Sequence, residues 1–198
     1  MLSTARQETT VRQILRASIH EEPRGAVAIA RHYIRDLIYG ANDGLITTFA
    51  VVAAVSGGAL STRTVLIVGM ANLLADGLSM GVGNYLSIRS HESALTAEGR
   101  PEEEASPARH GIATFLAFFV AGAVPLLPYA AGASMSLGLA FSLTLTFAML
   151  FAVGAMRALV TVSRWWSAGA EMLLLGAVVA VAAYISGAVV SSLLGGAV

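Results

Sequence analysis

Five stretches of this chain stay apolar for about 20 residues each, the length that a bilayer core requires of a helix. They lie near residues 37–58, 64–88, 111–130, 134–156 and 168–194. In hydrocarbon the backbone N–H and C=O groups must be satisfied within the spanning structure, so runs of this length predict helices. The expected fold is an all-α integral membrane protein with five transmembrane helices. Residues 1–36 would form a polar or amphipathic N-terminal segment, and residues 37–198 a five-helix domain with one long polar loop, 89–110. Hydrophobic residues make up 56% of the chain, which argues for a membrane domain over a soluble core.

The connections are small-residue turns. Gly57 to Thr62 separates the first two runs, and Ala131 to Ser134 the third and fourth. Pro125 and Pro128 could equally kink a longer third helix. No short apolar core with a cleavage site follows Met1, so the start does not read as a signal peptide. Val11, Ile14, Leu15 and Ile19 recur at helical spacing beside Arg12 and Arg16, a pattern for a surface-lying or simply solvated helix that Pro23 ends.

Arginine placement gives the expected orientation. Residues 1–36, the 89–110 loop and the 157–167 loop hold eleven of the twelve arginines, and Arg63 is alone on the other side. Positive charge collects on the cytoplasmic face, so the N-terminus is expected inside and the C-terminus outside. Trp165 and Trp166 suit the inner interfacial belt. Formal net charge is zero, so nothing points to nucleic acid. With no cysteine, any metal site must draw on Asp, Glu, His, Met or backbone oxygen.

Against this background the acids inside apolar segments stand out: Asp43, Asp76 and Glu171. Each costs about 2.5–3.5 kcal/mol at a helix centre even on the lenient insertion scale, and such groups usually line an ion or substrate path. The first two spans run antiparallel about residues 60 and 61, which mirrors Asp43 onto Leu78. Asp76 and Met80 flank that position, each offset from Asp43 in depth by about 3 Å. They are an i, i+4 pair on one helix face, and Asn72 and Asn84 extend it by a turn each way. A carboxylate on one helix would thus meet a carboxylate, a thioether and two amides on its neighbour.

Plainer roles compete. Asp43 could cap a helix that starts there, Asp76 could join helices by hydrogen bonding, and Met80 could fill a gap. Glu171 reads as a residue that snorkels or pairs with Arg157 or Arg164. Gly77 and Gly81 form a small-xxx-small pair for close helix approach, Gly69 reads as packing, and Gly81-Val82-Gly83 could loosen the helix. The histidines, His20, His32, His91 and His110, all fall in polar segments. His91 and Glu92 with Glu98 and Glu102 to Glu104 make the inner loop acidic and could attract metal, but such a run reads first as a solvated helix start with Pro101 at its first position.

At these residues the chain resembles the vacuolar iron transporter family, including bacterial membrane-only members. The resemblance rests on Arg35 to Leu45 (RDLIYGANDGL), Ala71 to Ser87 (ANLLADGLSMGVGNYLS), Ala113 to Tyr129 (ATFLAFFVAGAVPLLPY) and Glu171 to Gly187 (EMLLLGAVVAVAAYISG). The first two segments are the specific ones. The resemblance implies a five-span, two-fold symmetric homodimer that moves ferrous iron, often manganese, out of the cytoplasm in exchange for protons. It implies that Asp43 and Met80 line the ion path at the dimer axis. The chain departs from the family in two places. Asn72 stands where a glutamate is expected, with the carboxylate one turn on at Asp76. Residues 89–110 are too short for the long glutamate-rich insert of full-length members.

A site of carboxylate, thioether and amide oxygen mixes hard and soft ligands, so it should take Fe²⁺, Mn²⁺ or Co²⁺ over Mg²⁺ and Ca²⁺. A carboxylate held out of water can also trade a proton for a cation. The candidate metal residues are therefore Asp43, Met80, Asp76, Asn72 and Asn84. No enzyme activity and no tightly bound cofactor is expected, with Fe²⁺ or Mn²⁺ as carried substrate. The partners would be a second copy, lipid, metal ions and protons, and the compact form points to a bacterial inner membrane. Two alternatives are an intramembrane aspartyl protease using Asp43 and Asp76, and a non-transporting membrane scaffold.

Overall fold

A computed structural model describes residues 23–158 and 163–195; the amphipathic pattern around Val11 to Ile19 lies outside them. Every regular element among the described residues is helical. Helix α1 runs Ala26–Gly57, α2 Thr62–Ala97 and α3 Pro107–Ala123. A 3₁₀ turn, Val124–Leu126, leads into the short α4, Leu127–Ala130. Helices α5, Met135–Arg157, and α6, Trp165–Leu193, complete the chain. Counting α3 through α4 as one span, five segments among the described residues are long and apolar enough to cross a membrane.

The turns follow local chemistry. Ser61 caps α2, its hydroxyl accepting a hydrogen bond from the Thr64 backbone N–H at 3.3 Å. Just before it, Ala59 takes the left-handed position (φ 55°) that glycine usually fills at a helix end, and the Leu60 N–H closes back onto the Val55 carbonyl. Pro125 lacks a backbone N–H and accompanies the switch to 3₁₀ geometry, so the third span is kinked there as well as followed by the 131–134 turn.

Helices α1 and α2 are 32 and 36 residues long. At 1.5 Å per residue they reach about 48 and 54 Å, well beyond a hydrocarbon core of about 30 Å. Both outrun their apolar stretches at the same end of the bundle. Asp43 is therefore an interior helix residue, and the capping role considered for it does not hold. Likewise Pro101 starts no helix: residues 98–106 are irregular and Pro107 takes the first helical position of α3.

Glycine sets how the helices meet. On α2 the buried residues Val65, Gly69, Leu73, Gly77 and Gly81 form an i, i+4 stripe. Gly81 meets Gly111 of α3 so closely that a Cβ there would lie 2.9 Å from the Gly111 carbonyl oxygen. The helix runs unbroken through Gly81-Val82-Gly83, so this stretch serves close approach and frees no backbone. Helix α6 docks on α1 through Gly57, which abuts the Tyr184 backbone, and Gly187, which abuts Ala54. The interior is apolar, with Phe49, Val52, Leu73 and Phe118 at its centre. Arg157 pairs with Glu171, joining α5 to α6.

Candidate functional site

Two polar groups lie along α1 and α2, one inside the apolar region and one at the end where these helices overrun it. The inner group contains Asp43 and Asp76, close enough to interact electrostatically. Asp43, Asn72, Asp76, Met80 and Asn84 are all half-buried. Met80 packs against the core that includes Phe118 and Leu73. The Asn72 side-chain nitrogen is buried without a hydrogen-bond partner, as is the Asn42 side-chain oxygen next to Asp43. Unsatisfied buried amides cost about 1–3 kcal/mol each, so these two leave polar capacity unused inside the bundle.

Each aspartate is followed by a glycine that packs on the same residue of α3. A Cβ on Gly44 would collide with the Phe118 backbone, and one on Gly77 would press on the Phe118 ring. Helices α1 and α2 touch each other less than either touches α3. Phe118 therefore packs on both Gly44 of α1 and Gly77 of α2.

Asn84 belongs to the second group. Its amide nitrogen donates to Asp36 Oδ1 and to Thr114 Oγ1, both at 2.8 Å. Asp36 Oδ2 lies 2.5 Å from His110 Nδ1, so one buried carboxylate links α1, α2 and α3. His110 Nε2 in turn lies 2.9 Å from Glu104 Oε2, and His32 Nε2 lies 3.2 Å from the same oxygen. The backbone N–H groups of Glu103 and Glu104 donate to the carboxylate of buried Glu92 at 2.9 and 3.0 Å. The Ser106 N–H donates to Glu104 Oε1 at 2.9 Å. The acidic run is thus folded back onto α2 rather than solvated as a helix start.

These residues border a cavity of about 870 Å³ lined by Asp36, Tyr39, Asn84, Glu92, Glu104 and His110, among others. Below it the polar positions descend by helical steps: Asp36, Tyr39 and Asp43 on α1, then Asn84, Met80, Asp76 and Asn72 on α2. Asp36 and Asp43 are seven residues apart, so about 10 Å separates their depths. The sequence treatment overlooked His32, Asp36 and His110 as site residues, and placed Glu92 and Glu104 only in an acidic loop that could attract metal. The available signal was the i, i+4 spacing of His32 and Asp36 on one helix face.

A profile of the VIT family matches residues 34–105 and 91–188. The chain is 44% identical over 71 residues to a vacuolar iron transporter of Toxoplasma gondii, covering 36% of this chain and 24% of that protein. It is 40% identical over 75 residues to vacuolar iron transporter 1 of Arabidopsis thaliana, covering 38% and 30%. Over 110 residues it is 34% identical to vacuolar iron transporter homolog 5 of Oryza sativa subsp. japonica, covering 51% and 53%. The chain thus spans between about a quarter and a half of the length of these relatives. All three carry names of transporters or their homologs, not of enzymes, against the protease alternative. From its helices and the extent of the profile match, the chain is an integral membrane protein that belongs to the VIT family.

Proposed function

We propose that this chain transports divalent transition-metal ions, Fe²⁺ or Mn²⁺, out of the cytoplasm in exchange for protons. The observation that carries the reading is that Asp43 and Asp76 are near enough to interact electrostatically inside apolar helices, with Asp43 one turn along α1 from Tyr39, which lines a polar cavity. Two neighbouring carboxylates in a poorly hydrated setting repel when both are ionised, and either a proton or a divalent cation relieves that repulsion. Competition between the two occupants is the minimum that exchange requires. Met80 adds a polarisable sulfur and Asn72 an amide, which favour transition metals over Mg²⁺ or Ca²⁺.

The working form is a two-fold homodimer. Asp43 and Asp76 are only half-buried in one protomer, and a carboxylate facing lipid is costly. A second copy over this face would remove them from lipid and double the ligand set. The cavity faces the cytoplasm in this scheme, with the arginine-rich N-terminal segment and the 89–110 loop on that side, and the membrane is a bacterial inner membrane. Purified protein in liposomes loaded with a pH dye and a metal dye tests the reading. Metal uptake with proton movement in the opposite direction is expected, both lost in Asp43→Asn. Metal flux that leaves internal pH unchanged would remove exchange from the scheme, and no flux at all would remove transport.

A further inference from the structure

We propose that His32, Glu104 and His110 form a separate binding site for one divalent transition-metal ion, at the polar end of the bundle beside the cavity. The candidate ligand atoms of the three residues all lie within 4.8 Å of one another. His32 comes from the start of α1, while Glu104 and His110, six residues apart, come from the connection before α3 and from its first turn. Around zinc, with bonds of about 2.0–2.2 Å, tetrahedral ligands sit about 3.3 Å apart. The Glu104 Oε2 separations of 3.2 Å to His32 Nε2 and 2.9 Å to His110 Nε2 are already near that value.

The surroundings hold these ligands as metal sites do. A metal-bound histidine usually gives its other ring N–H to a carboxylate, which fixes its tautomer and orientation. Asp36 stands in that position, with its Oδ2 2.5 Å from His110 Nδ1. A proton on Nδ1 leaves a lone pair on Nε2, close to a carboxylate oxygen but not aimed at it. His110 Nε2 is buried and makes no well-aligned hydrogen bond, although Glu104 Oε2 is close. Two electron-rich atoms this close without a hydrogen bond between them are placed as two ligands of one cation would be. On the other side, Ser106 and Glu92 grip Glu104 through Oε1 and its backbone N–H, which leaves Oε2 turned to the histidines. Two imidazoles and one carboxylate make a borderline donor set that suits Zn²⁺, Fe²⁺ or Co²⁺ and leaves a fourth position open. Mg²⁺ and Ca²⁺ prefer oxygen ligands alone.

The site stands whether or not the chain transports. Its use as the place where cargo first docks rests on the transport reading. The competing account is a protonated histidine pair that merely clamps Glu104.

Co²⁺ titration followed by visible absorption separates the two, on the full chain purified in detergent and carrying Asp43→Asn and Met80→Leu to silence the inner group. One Co²⁺ per chain with a strong four-coordinate spectrum is expected. Adding Glu104→Gln should weaken binding by more than the ~10–100-fold typical of losing an outer-shell partner. His32→Gln, at a half-exposed position that does not threaten the fold, should do the same. No cobalt spectrum in the doubly substituted chain, or unchanged affinity in both added variants, would establish a plain ion-pair clamp and overturn the site. If the unsubstituted chain moves no metal into liposomes while the cobalt titration succeeds, the site is upheld and the transport reading alone falls.

Discussion

Asp36 and His110 stand 74 positions apart in the chain, yet their side chains meet at 2.5 Å in a setting closed to solvent. With Asn84 on the other carboxylate oxygen, this contact locks three helices at the end where the cavity opens. Asp36→Asn would keep the shape and lose the charge that His110 and Asn84 both address. We expect it to cost roughly 1.5–3 kcal/mol, the range for a hydrogen bond to a charged group. Thermal unfolding in detergent, followed by loss of helical circular dichroism, measures this. A melting curve like that of the unsubstituted chain would show that the contact is dispensable.

Asp43→Asn is expected to abolish metal flux and metal-coupled proton movement together. Met80→Leu retains volume but removes sulfur, so Fe²⁺ or Co²⁺ flux should fall more than Mn²⁺ flux, manganese depending least on soft ligands. Liposome flux with each metal in turn reads both variants. If both move all three metals at unchanged rates, the ion path lies elsewhere.

Asp76→Asn tests whether the second carboxylate takes part in exchange. Because it acts electrostatically on Asp43, its loss should leave some metal flux while uncoupling it from proton movement. Normal coupling in this variant would assign Asp76 to packing.

Sequence alone treats Glu102, Glu103 and Glu104 as one acidic run; their contacts separate them. Glu102 is exposed, Glu103 pairs with Arg100, and Glu104 faces two histidines. Glu102→Gln should leave flux unchanged. Glu104→Gln should raise the half-saturating metal concentration severalfold without lowering the saturating rate, as expected if it loads rather than translocates. Equal effects from the two substitutions, read from flux against metal concentration, would contradict that division.

Gly81 and Gly83 lie two residues apart and should respond oppositely to alanine. A Cβ at position 81 meets the Gly111 backbone, whereas one at 83 meets nothing within 4 Å. We expect Gly81→Ala to destabilise by about 1–3 kcal/mol through overpacking, and Gly83→Ala to stabilise by up to about 1 kcal/mol through helix propensity. Melting temperatures of the two variants provide the comparison, and a shift of the same sign in both would refute the packing account.

These two glycines also mark where reading a sequence stops. The apolar runs announce five helices because hydrocarbon tolerates few backbone conformations, and Ser61 announces its cap because capping is local. A glycine, by contrast, means looseness or close approach depending on its neighbour across the gap, which position 81 does not disclose. The same holds for Asp36. It sits in a hydrophilic stretch and looks solvated, and only the return of the chain at His110 encloses it. Asp43 and Asp76 were visible because an acid in an apolar run is anomalous without knowledge of any partner. Glu104 resembled its two neighbours until Ser106 and Glu92 fixed its direction.

Phe118 has a further consequence. Its backbone bears on Gly44 and its ring on Gly77, so an apolar residue that touches no ion acts as a spacer between the two helices that carry Asp43 and Asp76. The spacing of α1 and α2 at this level then depends on the ring and on the packing of α3 as well as on the acids. Discrimination by ionic radius would accordingly answer to substitutions at Phe118, where a thinner side chain should shift preference toward smaller ions with every ligand intact.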